Sequence, residues 1–212
     1  MDIPILYEDK HLLIIDKYPG IVVNRAASVK GETVQDWVGE KLKTREPKLK
    51  TEDQDFVDRA GIVHRIDKET SGILLIAKTP EAFRELQRQF REREVKKTYL
   101  AFVHGKLVPD KGEIRAPVGR LPWNPERFGI VPGGKEAVTR YKVVNHQSSA
   151  VSKEDITLVE LYPETGRTHQ IRVHLKYVGH PIVGDYLYAG RKVSRIDRAS
   201  GAPRVMLHAW KV

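Results

Sequence analysis

The 212-residue chain carries 37 Lys and Arg against 28 Asp and Glu, a formal charge of +9, and a surplus of that size suits a polyanionic partner unless it is spread evenly over the surface. Cysteine is absent, which excludes disulfides, thiolate metal sites and cysteine nucleophiles. No apolar run approaches the roughly 18 residues that span a bilayer, and Met1-Asp2-Ile3-Pro4 has no signal-peptide character. The expectation is therefore a soluble, cytoplasmic protein, most simply one domain over residues 1–212 with room for two sub-lobes.

In chain order, Ile5-Leu6-Tyr7, Leu12-Leu13-Ile14-Ile15 and Ile21-Val22-Val23 alternate with turns and predict three meandering strands. Val34, Trp37, Val38 and Leu42 recur at helical spacing. From Lys43 to Asp58 the chain turns polar and charged, the pattern of a mobile surface loop. Ile73–Ala77 reads as a buried strand, followed by a helix with Thr79 as N-cap, Pro80 at its first position and Ala82, Phe83, Leu86 and Phe90 on its core face. The arginines of that helix, at 84, 88, 91 and 93, read mostly as solvating charge. Strands are predicted at Tyr99–His104, Val138–Asn145 and Ile156–Tyr162, and a helix at Thr168–Val178 with Ile171, Leu175 and Val178 inward. Strands dominate, helices are few and no βαβ rhythm appears, so the fold class is α+β with a mixed, mostly antiparallel sheet.

The most informative run is His64-Arg65-Ile66-Asp67-Lys68-Glu69-Thr70-Ser71-Gly72, which displays a carboxylate beside an arginine at the mouth of the buried strand. An acid there either meets a partner or ligand in a cleft, or only caps a turn whose Thr70, Ser71 and Gly72 supply hydrogen bonds and a free φ angle. Other chemistries find no footing. Ser71 lacks a G-x-S-x-G elbow, His169 and His174 form no H-E-x-x-H, and no Walker or Rossmann glycine pattern appears.

Taken with its downstream partners, the run resembles the catalytic motif of RluA-class RNA pseudouridine synthases, H-R-L-D-x-x-T-S-G, with Ile66 in the leucine position. Lys96-Lys97-Thr98-Tyr99-Leu100-Ala101 is similar to the family's tyrosine-bearing strand, and Gly133-Gly134-Lys135-Glu136-Ala137 to its G-K-E-A turn. Glu164 to Leu175 resembles its arginine segment, and Gly179-His180-Pro181-Ile182-Val183-Gly184-Asp185 and Leu207-His208-Ala209-Trp210 follow in order. The resemblance covers nearly the whole chain, without the N-terminal S4-type domain many members carry. It implies a pseudouridine synthase fold with helices flanking the sheet and a central active-site cleft.

The resemblance implies that a uridine in structured ribosomal or transfer RNA is isomerised to pseudouridine by a monomer, without cofactor, metal or membrane. Asp67 would be the essential carboxylate, acting as nucleophile or as base. Arg167 would pair with it through a guanidinium fork. Tyr99 would stack on the target base and assist proton transfer. Arg65 would hold the RNA with the base flipped out, and Lys96, Lys97 and Arg172 would meet phosphates. The alternative class is an RNA-binding module with this fold and no catalysis, against which the joint presence of Asp67, Tyr99 and Arg167 speaks.

Overall fold

Leu13, Ile15 and Lys17 alternate with half-exposed neighbours along β2 (Leu12–Lys17). That period of two sets β2 between β1 (Ile5–Glu8) and β3 (Ser71–Ala77). The computed structural model describes residues 1–42, 53–148 and 155–212, apart from the side chains of Pro125 and Ser148. Two units divide the chain, Met1–Val95 with Val212, and Lys96–Lys211.

In the first unit β1, β2 and β3 pair antiparallel, with Leu12 opposite Ala77 and Lys17 opposite Gly72. The β1–β2 turn is closed by the Asp9 carboxylate, which accepts the amides of His11 and Leu12, both at 2.7 Å. Helix α1 (Val34–Lys41) starts in a capping box, in which Thr33 Oγ1 accepts the Asp36 amide and Asp36 accepts the Thr33 amide. Ile21–Val23, predicted as a strand, is irregular. Its carbonyls are spent on the helix instead, Val22 accepting the Val34 amide at 3.0 Å and Val23 the Gln35 amide at 2.9 Å.

The predicted loop from Lys43 to Asp58 lies outside the described residues over 43–52, and its end forms a short helix, α2 (Gln54–Asp58). Phe56 is the cause: 4% exposed, it meets Phe83 edge-on at 5.7 Å. Helix α3 (Pro80–Arg91) follows the predicted pattern, with Thr79 Oγ1 accepting the Ala82 amide and Phe83 its most buried residue. Phe56, Ala77 and Phe83 form one buried cluster, with Ala82 and Leu86 against it.

The second unit contains β4 (Thr98–His104), β5 (Lys111–Arg115), a hairpin of β6 (Val118–Leu121) and β7 (Asn124–Ile130), β8 (Val138–Ser148) and β9 (Asp155–Pro163). Helices α4 (Gln170–Tyr177) and α5 (Gly190–Ala199) precede the last strand, β10 (Leu207–Lys211). Five of these strands run in the order β10-β4-β9-β8-β5, all neighbours antiparallel. The architecture is α+β as expected. Leu107, Ile114, Val159, Leu161, Ile171 and Leu175 belong to the core on this sheet. The helix predicted from Thr168 begins two residues later, because His169 takes a left-handed φ of 56° as N-cap. Val178, expected inward, is 36% exposed just past the helix end, whereas Ile171 and Leu175 are buried.

His174 of α4 is fully buried, its Nε2 3.1 Å from the Ala116 carbonyl and its Nδ1 3.0 Å from Thr139 Oγ1. The carbonyl requires a donor and so places the proton on Nε2. Burial lowers the pKa of this imidazole below its ordinary value and the Ala116 carbonyl only partly opposes that. The folded state thus resists the proton that an unfolded histidine takes up below about pH 6.5, so stability is highest above that value and falls as pH drops toward the lower folded pKa. We expect urea midpoints of the wild type to decline between pH 7.5 and 5, and His174→Gln, less stable throughout, to show a shallower decline. Parallel profiles for the two proteins would remove His174 from the acid sensitivity.

Candidate functional site

In the first unit the acid-bearing motif occupies the loop entering β3. Asp67 opens a turn in which its carbonyl accepts the Thr70 amide at 3.1 Å, and Thr70 and Ser71 are buried while Asp67 is partly exposed. The loop is held from below by Lys17. This side chain is completely buried, and its ammonium donates to the carbonyls of Tyr18 at 2.8 Å, Ile21 at 3.0 Å and Lys68 at 3.0 Å. A buried ammonium is tolerated only when its donors are used. The Gly20 amide adds a further bond to the Lys68 carbonyl at 2.8 Å. Lys17 and the turn at 18–21 thus grip the peptide that follows Asp67.

His64, at the start of the motif, accepts the Leu75 amide on Nε2 at 2.9 Å and stacks on Phe90 at 4.8 Å. Accepting an N–H fixes that nitrogen as unprotonated. Between these two anchors Arg65 is exposed and has no acidic partner among the described residues, whereas Ile66 is buried. The pinned loop therefore leaves Arg65 and Lys68 exposed and Asp67 partly so, with Ile66 turned inward.

In the second unit β4 and β9 bring three of the predicted residues to one end of their ladder. Tyr99 lies opposite Leu161 and packs on the core cluster. Lys97 precedes it, and a Cβ placed on Gly166 would lie 3.9 Å from its Nζ. Burial pushes the Lys97 ammonium below the usual lysine range, and no acid among the described residues pairs with it. Arg167 follows Gly166, and its Nε donates to the Glu136 carbonyl of the G-K-E-A turn at 3.0 Å. Lys96 is exposed.

The turn that carries Arg167 is built on Gln170. Its Oε1 accepts the Arg167 amide at 3.0 Å and the Thr165 hydroxyl at 2.7 Å, while its Nε2 donates to the Val138 carbonyl and to Thr139 Oγ1, both at 3.0 Å. Gln170 is 4% exposed, so its whole hydrogen-bonding capacity is met by protein. Neither Gln170 nor Lys17 was singled out from sequence. An amide in an amphipathic helix and a lysine before Tyr-Pro-Gly both read as solvent-facing.

Arg172 is not where a phosphate contact should be. It is 5% exposed, its Nε and Nη2 reach the Asp185 carboxylate at 2.8 and 2.9 Å, and its guanidinium lies 4.9 Å from the Tyr188 ring centre. Like the rest of α4 from Gln170 to Leu175 it is buried, and it ties the helix to the Gly184-Asp185 turn. That turn requires its glycine: at φ +74° a Cβ on Gly184 would sit 1.9 Å from the Arg204 carbonyl oxygen.

Asp67 and Arg65 belong to the first unit, and Lys96, Lys97, Tyr99 and Arg167 to the second. A family model described as RNA pseudouridylate synthase matches residues 11–177, which contain all of them, and the chain belongs to that family. It is 43% identical to the ribosomal large subunit pseudouridine synthase D of Nitrosomonas europaea, across 98% of this chain and 56% of that protein. It is 39% identical to the uncharacterized RNA pseudouridine synthase YhcT of Bacillus subtilis, across 89% of this chain and 58% of that one. The chain thus spans little more than half the length of these relatives. Among solved structures, human RNA pseudouridylate synthase domain containing 1 superposes with a TM-score of 0.73 at 29% identity, covering 98% of this chain and 76% of that one.

Removing one member of a buried, bidentate pair leaves an uncompensated charge, which typically costs about 3–5 kcal/mol. Asp185→Asn should therefore lower unfolding free energy by roughly that amount in urea titrations. A loss under about 1 kcal/mol would mean that water reaches Arg172 and that the pair is not structural.

Proposed function

We propose that the protein isomerises a uridine within structured RNA to pseudouridine, with ribosomal RNA of the large subunit as the substrate class. The observation that carries this reading is the family match over residues 11–177, which coincides with the pinned Asp67 loop. The names of the matched relatives support ribosomal RNA over transfer RNA. The reaction is redox-neutral: the N1–C1′ bond breaks, a C5–C1′ bond forms, C5 loses a proton and N1 gains one. It calls for no cofactor or metal, and the protein would act in the cytoplasm as a monomer.

Asp67 is the essential carboxylate in this proposal, attacking the sugar or base, or removing a sugar proton. An ordinary aspartate is almost wholly ionised at pH 7, so it needs placement more than activation. The Lys17 and Gly20 bonds to the Lys68 carbonyl supply that placement. Arg167 is assigned to orient the carboxylate and hold it ionised, Tyr99 to stack on the base and relay the C5 proton, and Arg65 to occupy the space of the extruded base. Lys96 and Lys97 are assigned to phosphates. The desolvated Lys97 has the stronger claim, since a cation without an acid partner in a partly buried position is stabilised by an arriving anion.

Asp67→Asn keeps the shape and removes the charge. It should leave RNA affinity and the thermal midpoint near wild type while lowering single-turnover pseudouridine formation by well over about a hundredfold. Residual turnover above about a hundredth of wild type takes Asp67 out of the chemistry.

Arg167→Lys replaces a fork by a point charge. We expect its single-turnover rate to fall far more than its RNA affinity. The opposite split, weaker binding at an unchanged rate, would reassign Arg167 to phosphate contact.

A further inference from the structure

Two helices of this protein are rich in arginine, and they differ in what surrounds the charge. On α3 two of the three arginines are neutralised locally, Arg91 being the exception: Arg88 bridges Glu85 at 2.7 Å and Glu94 at 2.8 Å and also contacts Glu92, while Arg84 bridges Asp53 at 2.8 Å and Glu81 at 3.5 Å. On α5 no such neutralisation exists. Arg191, Lys192, Arg195 and Arg198 are all exposed, and none has an acidic partner among the described residues.

The reason lies in the register of α5. Arg191, Arg195 and Arg198 stand at i, i+4 and i+7 and share one face, about 6 Å and then 4.5 Å apart along the axis. The only acid of the helix, Asp197, is on the other side and 1% exposed. Its carboxylate lies 2.8 Å from His104 Nε2 on β4 and accepts the Gly184 amide at 2.9 Å. Ser194 is buried on that same inner side, with Val193 and Ile196 partly so. The one negative charge of the helix itself is thus consumed in anchoring it to the sheet. Like charges at i and i+4 repel by a few tenths of a kcal/mol. Three such neighbours without a counter-charge leave the row in want of an anion.

We propose that the outer face of α5 is a docking surface for the sugar-phosphate backbone of helical RNA, apart from the residues assigned to the reaction. An RNA strand is the occupant that the charge favours: a row of guanidinium forks on a rigid helix matches a linear array of phosphates, and arginine binds phosphate bidentately. The contact is blind to sequence and adds grip on a helical arm next to the modified stem-loop. The role as part of an RNA-modifying enzyme rests on the function proposed above, whereas the binding itself does not.

The test uses the full chain and an RNA duplex of arbitrary sequence, about 20 base pairs long, without any target uridine. Binding is measured against salt for wild type, for Arg191→Gln/Arg195→Gln/Arg198→Gln, for the same three sites changed to Lys, and for Arg84→Gln/Arg88→Gln on α3. The triple Gln protein should lose about 2 to 3 from the slope of log affinity on log salt, and about tenfold or more in affinity near 0.1 M salt. The triple Lys protein should keep most of the slope, which guards against a folding defect where Arg198 covers Tyr186. The α3 pair should change nothing. An unchanged slope in the triple Gln protein, or an equal drop from the α3 pair, overturns the proposal, as does retention of α5 by anionic lipid vesicles with no effect on the duplex. Should the wild type modify no ribosomal RNA at all, the proposed function fails while the duplex slopes still decide this one.

Discussion

The second unit depends on one side-chain amide. Gln170 fills all four of its hydrogen bonds inside the protein, and through them it joins the start of α4 to β8 and to the turn bearing Arg167. Leaving any one of these buried groups unmet costs on the order of 1–3 kcal/mol, so the arrangement is all or nothing. The same hydroxyl of Thr139 that receives Gln170 also meets His174, which in turn reaches Ala116. A polar thread therefore runs through the middle of an apolar core. Its geometry sets where the Arg167 backbone can be, and the Glu136 carbonyl then aims the side chain.

The first unit solves the same problem with a charge. Its motif loop lacks regular structure from Val63 to Asp67, and irregular backbone near a core needs partners for its carbonyls. Lys17 provides three bonds from one nitrogen, which no neutral side chain could match. Asp67 and Arg65 are carried on this loop, beside the Lys68 carbonyl that Lys17 and the Gly20 amide hold. Asp67 in the first unit and Arg167 in the second are carried by turns whose order comes from buried polar atoms, whereas Tyr99 stands on β4.

Much of this was legible in the chain. β2, β3 and α3 follow from periodicity and from Thr79-Pro80, and β4, β8 and β9 fall close to where apolar alternation puts them. The motif positions were legible by resemblance. Part of what escaped has a common physical cause: polar residues used inward. Helix α5 has little apolar signal, because Ser194 and Asp197 fill much of its buried side. Arg172 reads as a surface cation until Asp185 is seen beside it. Ile21–Val23 reads as a strand because its apolar side chains say so, while its carbonyls serve α1. The β6–β7 hairpin was missed because Gly119, Pro122, Pro125 and Gly129 interrupt any regular alternation.

The grip on the Asp67 loop passes through the carbonyl of Lys68, while the Lys68 side chain is left in solvent. Every amino acid has that carbonyl. The order of the loop is thus encoded 51 positions upstream, at Lys17, and hardly at all at the residue it holds. Mutational scans of the protein should accordingly read position 68 as permissive and position 17 as intolerant. An engineer who wished to retune the surface beside the carboxylate has a freely editable site immediately next to it.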